Sequence, residues 1–172
     1  MSRGGESAVS LRPATAADRD FLACVYASTR ERELVDVPFG PGERAAFLDQ
    51  QFEAQTLHFE RNYRDTSHDV VLVDGEPAGR LIVGRWPDEV RVVDIALLPE
   101  YRGRGVGERL MRPVLAEAEQ RGVRATVHVE RRNPAMRFYE RLGFVPVGEE
   151  GAHLLMERLP SGPDSDQAKT AS

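Results

Sequence analysis

Residues 93–111 read VDIALLPEYRGRGVGERLM. The stretch begins as an apolar strand, turns at Pro99, continues as a glycine loop that carries Arg102 and Arg104, and ends in an amphipathic helix. This order places a helix N-terminus, whose first backbone N–H groups lack intrahelical partners, beside a loop of little side-chain bulk. The free donors and the positive end of the helix dipole both favour an anion, so the stretch predicts a phosphate-binding loop.

Two other classes of glycine loop have to be weighed. In a dinucleotide-binding loop of the form G-x-G-x-x-G the third glycine would stand at position 108, which is Glu108, although Glu130 lies near the distance expected of a ribose-binding acid. Too little sequence follows to complete a doubly wound sheet. A P-loop is excluded because no Gly-Lys-Ser/Thr follows the glycines. The remaining alternative is a tight strand-to-helix turn with surface arginines.

Residues 127–144, which read VHVERRNPAMRFYERLGF, form the second informative stretch. They predict a strand, a short loop, a short helix and a stop at Gly143. Pro134 suits the first helical position after Asn133 as a cap.

Both stretches resemble the signatures of one family. The spacing of Arg102, Gly105 and Gly107 resembles the pyrophosphate-binding signature Arg-x-x-Gly-x-Gly of the GNAT superfamily of N-acetyltransferases, and residues 133–144 are similar to its second signature. The resemblance implies an α/β (α+β) fold, with a mixed, mostly antiparallel sheet flanked by helices and a splayed central strand pair. We expect residues 8–159 to form this domain and residues 1–7 and 160–172 to be disordered tails.

The resemblance also implies a site for acetyl-CoA. Its expected members are Ile95, Ala96, Leu97, Leu98, Arg102, Gly103, Arg104, Gly105, Val106, Gly107, Glu108, Asn133 and Tyr139. Tyr139 would be the general acid that protonates the leaving thiolate, with core packing beside Phe138 as the alternative. For Asn133 the alternative is a helix cap without contact to the ligand.

The proton acceptor for the amine stays open at this point. Asp94 is a charge in an apolar strand and either serves as the base or pairs with an arginine. His128 titrates in the right range and alternates with Val127 and Val129, so it points away from the face that the valines bury. Ordered water is a third route for the proton.

A polar stripe marks a candidate acceptor site on a helix predicted from Glu43 to about Glu60. Gln51, Gln55 and His58 recur at i, i+4 and i+7 and would line an acceptor pocket. The alternative is a solvated helix face.

Composition limits the classes of binding partner and the cellular compartments that we expect for this chain. The formal net charge of −5 argues against a general nucleic-acid binder. Cys24 is the single cysteine, which excludes an internal disulfide, fits a reducing compartment and is expected to be buried on a helix. The first residues contain no apolar signal region and no stretch is long enough to cross a bilayer, so we expect a cytoplasmic protein that does not bind membranes. No metal is implied.

These observations predict an acetyl-CoA-dependent N-acetyltransferase that acts on a primary amine of a small molecule or peptide. Direct attack in a ternary complex is expected because no activated nucleophile is apparent. A non-catalytic acyl-CoA-binding sensor or interaction module is the alternative, and transfer of a longer acyl group, or transfer to a hydroxyl, is a further one. The resemblance also implies a possible homodimer.

Overall fold

A computed structural model describes residues 5–162 of the 172-residue chain. Single turns of 3₁₀-helix lie at Ala16–Asp18 and Pro99–Tyr101. The longer elements, in chain order, are β1 (Val9–Pro13), α1 (Arg19–Leu34), α2 (Glu43–Asn62), β2 (Thr66–Val73), β3 (Glu76–Trp86), β4 (Glu89–Leu97), α3 (Val106–Arg121), β5 (Arg124–Glu130), α4 (Met136–Arg141), β6 (Val145–Glu150) and β7 (His153–Arg158).

The strands form a mixed sheet in the order β1-β2-β3-β4-β5-β7-β6. The neighbours β1/β2, β2/β3, β5/β7 and β6/β7 pair antiparallel, whereas β4 and β5 pair parallel. The parallel register runs from Glu89–Arg124 to Val92–Val127, and both strands continue beyond it. The predicted α/β (α+β) class, with a mixed sheet and flanking helices, is confirmed.

The chain divides into two compact units. The first comprises the residues up to Gly84 together with Asp94–Arg109. Its core contains the buried faces of β2 and β3, and the rings of Tyr26 on α1 and Phe52 on α2 lie 5.9 Å apart. Asp18 accepts a hydrogen bond from the Thr15 backbone N–H at 2.8 Å, which orders the entry to α1 as the sequence pattern predicts.

The second unit comprises Arg85–Val93 and the residues from Leu110 onward. Along β5 the side chains alternate: Val127 and Val129 are buried, whereas His128 between them is only partly buried. The predicted orientation of His128, away from the face of the valines, is therefore confirmed.

Two local predictions are wrong. Cys24 is exposed rather than buried, because the buried face of α1 includes the next positions, Val25 and Tyr26, and one residue of helix turns a side chain by roughly 100°. The regular helix α4 begins at Met136 instead of Pro134. Helix boundaries shift by a residue or two where the first turn is irregular.

The predicted tails lie partly outside the described residues, namely at 1–4 and 163–172. Within the described part, the carbonyl oxygen of Ser7 accepts a hydrogen bond from Arg109 Nη1, and the Ser161 N–H donates to Glu119 Oε2 at 2.9 Å. The domain boundaries stay a prediction. No helix among residues 5–162 has the length and apolar character that crossing a membrane requires.

Candidate functional site: a glycine loop at the end of β4

The C-terminal end of β4 lies unusually close to β3. A Cβ atom added to Gly79 would lie 2.2 Å from the carbonyl oxygen of Ala96 and 3.0 Å from the Cα of Leu97. The neighbouring Ala78 accepts a hydrogen bond from the Leu98 N–H at 2.8 Å, and the β2/β3 register shifts at this point. Only glycine allows this approach, and the close contact fixes the backbone of the predicted residues Ile95–Leu98.

The loop that follows has the backbone geometry of an anion cradle. Gly103 and Gly105 have φ of +71° and +76°, and a Cβ atom at either position would meet nothing within 4 Å. Helix α3 begins at Val106, and the Arg109 N–H closes the first helical turn on the Gly105 carbonyl at 3.2 Å. By the geometry of a helix start, the N–H groups of the first helical turn, such as that of Gly107, lack an intrahelical acceptor. Such donors suit a phosphate.

The two arginines of the loop differ in their surroundings. Arg102 Nε donates to the Leu97 carbonyl at 2.9 Å, and its Nη2 donates to Ser28 Oγ at 3.2 Å. Its guanidinium therefore links the end of β4 to α1. Arg104 is exposed, and its guanidinium carbon lies 6.0 Å from the ring centre of Tyr101. The contacts of both arginines with an anion stay predictions.

Asp94 pairs with an arginine, which was one of the two predicted alternatives. Arg80 Nε donates to Asp94 Oδ2 at 2.8 Å, and the side chains are 6% and 22% exposed. Arg80 Nη2 also donates to Gln55 Oε1 at 3.0 Å, and the guanidinium lies 5.9 Å from the ring centre of Phe59. The nearly buried guanidinium of Arg80 thus fixes the position of the Asp94 carboxyl group.

The surroundings of His128 keep it neutral near pH 7. Burial, and next the charge of Arg91, lower the pKa of His128, although Glu150 acts in the opposite direction. The Nε2 atom of His128 lies 3.7 Å from Glu150 Oε2. A neutral imidazole is the form that accepts a proton.

Asn133 and Tyr139, the two expected site residues of the second signature, lie in the second unit. Asn133 Oδ1 accepts a hydrogen bond from the Ala135 N–H at 2.9 Å, so this side chain caps the turn that leads into α4. Tyr139 is 5% exposed, and its ring packs against Phe138 and Phe144 with ring centres 5.3 and 5.8 Å away. Asn133 thus serves as a cap and Tyr139 packs in the core, and neither role excludes a further contact of these side chains with a ligand.

The predicted acceptor stripe lies beside a cavity but does not line it. Gln55 bonds to Arg80, and the exposed His58 accepts at its backbone carbonyl a hydrogen bond from Asn62 Nδ2 at 2.9 Å. The first unit contains a cavity of about 550 Å³, the α2 cavity, which is lined by Ala14, Thr15, Ala16, Arg19, Leu22, Phe52, Glu53, Thr56, Leu57, Phe59, Glu60, His68, Asp69, Arg80 and Ile82.

The cavity wall lies on the same helix as the predicted stripe, on the neighbouring face, and the assignment of Gln51, Gln55 and His58 to an acceptor site stays a prediction. Phe52, Thr56 and Phe59 have the same i, i+4, i+7 spacing as the predicted stripe and are displaced from it by one position. Core packing of a helix requires the same spacing of mostly apolar side chains. The sequence pattern alone therefore did not distinguish a pocket wall from an ordinary core face. Within residues 5–162, no three His, Cys, Asp or Glu side chains are grouped to hold a metal ion; the expectation of a metal-free reaction stays a prediction.

The comparisons with known proteins support the family resemblance that the signature around Arg102, Gly105 and Gly107 indicates. Residues 31–144 match the model of the acetyltransferase (GNAT) family. Streptothricin acetyltransferase from Streptomyces lavendulae is 33% identical over 104 residues, which are 52% of this chain and 55% of that protein. The match thus spans about half the length of this curated relative.

Two solved structures show the likeness of fold. PaiA N-acetyltransferase from Thermoplasma acidophilum, in complex with coenzyme A, superposes with a TM-score of 0.67 at 16% identity over 88% of this chain and 99% of that one. An acetyltransferase from Thermus thermophilus gives a TM-score of 0.63 at 22% identity over 88% of this chain and 96% of that one.

Proposed function

The chain belongs to the acetyltransferase (GNAT) family, and on that premise we propose that it is an acetyl-CoA-dependent N-acetyltransferase that acts on a primary amine. The observation that carries the proposal is the loop between β4 and α3, where Gly103 and Gly105 adopt left-handed backbone conformations directly before a helix N-terminus. In the proposal the acetyl group passes directly from the thioester to the amine in a ternary complex.

The loop fits the pyrophosphate of acetyl-CoA on its own chemistry. The open space above Gly103 and Gly105 admits phosphate oxygens where any side chain would stand, and the start of α3 supplies N–H donors. Arg104 adds a cation at the exposed edge. The backbone of Ile95–Leu98 would hold the pantetheine arm and the thioester carbonyl through groups other than the Leu98 N–H, which donates to Ala78. Fixed N–H dipoles directed at a developing oxyanion are the largest electrostatic contribution to acyl transfer.

The reaction forms an amide C–N bond, releases a thiol and requires two proton movements. Acetyl-CoA supplies an activated acetyl group. An alkylammonium group has a pKa near 10, so the chain must first accept a proton from the amine, and a proton must then reach the sulfur. We assign the second task to Tyr139. For the first, His128 and Asp94 remain the candidates beside ordered water; Asp94 already accepts a hydrogen bond from Arg80.

Calorimetric titration with acetyl-CoA tests the cofactor site. We expect saturable binding that Gly105→Glu abolishes, because the new carboxylate would occupy the phosphate position. Gly42→Glu is the matched control: Gly42 has the same φ of +76° and directly precedes α2 as Gly105 precedes α3. Equal loss of binding in both variants, or no binding by the parent chain, would refute the phosphate-cradle assignment.

Turnover tests the catalytic assignment. Tyr139→Phe keeps the ring packing on Phe138 and Phe144 and removes only the hydroxyl. As the general acid, Tyr139 contributes about 10²- to 10⁴-fold to kcat, and this factor should be lost while acetyl-CoA affinity is unchanged. Thiol release with a panel of primary amines is the assay. Binding of acetyl-CoA without turnover on any amine would instead identify an acyl-CoA sensor.

The remaining expectations stay predictions. The acceptor is a small molecule or a peptide, and acyl groups longer than acetyl and hydroxyl acceptors are tested in the same assay. The cytoplasmic location, the absence of nucleic-acid and membrane partners and a possible homodimer rest on the sequence.

A further inference from the structure

The α2 cavity is large enough for a small organic molecule. Its volume of about 550 Å³ lies within the range of roughly 300–1,000 Å³ that is typical of ligand pockets. All of its lining residues belong to the first unit. Apolar side chains from three different elements form much of the wall: they are Leu22, Phe52, Leu57, Phe59 and Ile82.

The charges around the cavity favour a cation. Arg19 is already paired with Asp49 and Glu53, each at 2.9 Å, and Arg80 is paired with Asp94 at 2.8 Å. Glu60 and Asp69 add two further carboxylates to the lining. Of the charged groups in the lining itself, three are carboxylates (Glu53, Glu60 and Asp69) and two are arginines, and both arginines are already paired.

The histidine of the lining, His68, does not change this balance of charges. Burial, and next the charge of Arg80, lower the pKa of His68, and the nearby carboxylates Asp69, Glu60 and Asp94 oppose the shift. The His68 Nε2 atom lies 2.9 Å from Thr66 Oγ1. The lowered pKa of His68 favours its neutral form.

One wall of the cavity is in direct contact with β4. Arg80 lines the cavity and bonds to Asp94 in β4, and the adjacent Gly79 packs on Ala96 and Leu97. Ala96 and Leu97 are among the residues to which the proposed function assigns the thioester. The bond between Arg80 and Asp94 thus connects the cavity wall to the same strand.

From these observations we propose that the α2 cavity is the acceptor pocket, and that its substrate is an amphipathic primary amine, attracted as a cation and held by an aromatic or aliphatic body. The inference rests on the proposed function and narrows its substrate class. The apolar wall binds the body, and the carboxylates select the amine over a neutral molecule of the same shape.

The probes are 2-phenylethylamine, ethylamine and 2-phenylethanol, used with saturating acetyl-CoA. Ethylamine keeps the cation without the ring, and we expect its KM to exceed that of 2-phenylethylamine by at least about tenfold, as loss of the buried ring predicts. 2-Phenylethanol keeps the ring without the charge and serves as a competitive inhibitor, which we expect to bind about fivefold more weakly than the amine.

Two variants locate the pocket. Thr56→Phe fills the cavity and should raise the KM for 2-phenylethylamine at least about tenfold while the acetyl-CoA affinity stays the same. Ala54→Phe, an exposed position of α2 outside the lining, is the matched control and should change neither value. Glu60→Gln should raise the KM for the amine about fivefold but leave the inhibition constant of 2-phenylethanol unchanged.

The outcomes separate the two proposals. Acetyl-CoA binding and amine acetylation that are the same in the parent, Thr56→Phe and Glu60→Gln would overturn the acceptor pocket and leave the proposed function intact. Acetylation of ethylamine with a KM equal to that of 2-phenylethylamine would overturn it as well. Absence of acetyl-CoA binding and of thiol release with every amine would overturn both.

Discussion

The close approach of β3 and β4 makes Gly79→Ala the most informative single substitution. An added Cβ would lie 2.2 Å from the carbonyl oxygen of Ala96, about 1 Å inside ordinary contact, and 2.9 Å from Leu97 Cδ2. The leucine side chain can rotate away, but the backbone oxygen moves only if the strands separate. The end of β4 must therefore shift.

The cost follows from two opposing effects. Overpacking of a well-packed interior costs about 1–3 kcal/mol, and a backbone contact places this site at the upper end. Replacing glycine by alanine returns about 0.4–1 kcal/mol by restricting the unfolded chain. The net loss of about 2–2.5 kcal/mol corresponds to a fall in Tm of roughly 4–10 °C, at about 2–4 °C per kcal/mol for a domain of 150–250 residues.

Thermal and urea unfolding measure this loss, with Gly148→Ala as the control. Gly148 also lies in a strand, but a Cβ there meets nothing within 4 Å and its φ is not in the left-handed region. Its Tm should stay the same or rise slightly. A fall in Gly79→Ala no larger than that in Gly148→Ala would refute the argument. If Ala96 and Leu97 hold acetyl-CoA as proposed, the Kd of Gly79→Ala for acetyl-CoA should rise as well.

Two further predictions concern single side chains. Arg102→Lys keeps the charge, but a lysine cannot bond to both the Leu97 carbonyl and Ser28 Oγ. The free energy of unfolding should therefore fall by about 1 kcal/mol. The control Arg104→Lys should not change the free energy of unfolding, and equal urea midpoints for the two variants would contradict the link between β4 and α1. The hydrogen bonds from Arg12, and then that from the Thr15 N–H, hold the pKa of Asp18 well below its usual range. A lowered folded-state pKa stabilises the fold above the unfolded value of about 4, and this stability is lost as the pH falls below it. Asp18→Asn should therefore make the free energy of unfolding less dependent on pH below about pH 4. The control Asp20→Asn, at a fully exposed position, should leave this pH dependence unchanged. The same pH dependence in the parent and in Asp18→Asn would contradict the lowered pKa of Asp18.

Features that depend on neighbouring residues in the chain could be predicted from the sequence. Thr15 with Asp18 predicts a helix entry, the glycines from Gly103 onward predict a loop directly before a helix, and the alternation around His128 predicts which side of β5 is buried. In each case the deciding interactions lie within a few residues, so the local pattern contains them.

Features that depend on residues far apart in the chain were decided by the tertiary structure. Arg102 reaches Ser28, 74 positions earlier, so its side chain links β4 to α1, a contact that the local pattern does not contain; its contact with acetyl-CoA stays a prediction. Asp94 meets Arg80, and Gly79 meets Ala96, only because β3 and β4 pack together in one register. Likewise, the pattern of α2 contains two stripes of equal spacing, and only packing against β2 and β3 determines that Phe52, Thr56 and Phe59 line the cavity while His58 stays exposed. The register of the strands and the rotation of the helices are set by the free energy of the whole fold. That free energy includes contacts between distant residues, which a local stretch of sequence does not contain.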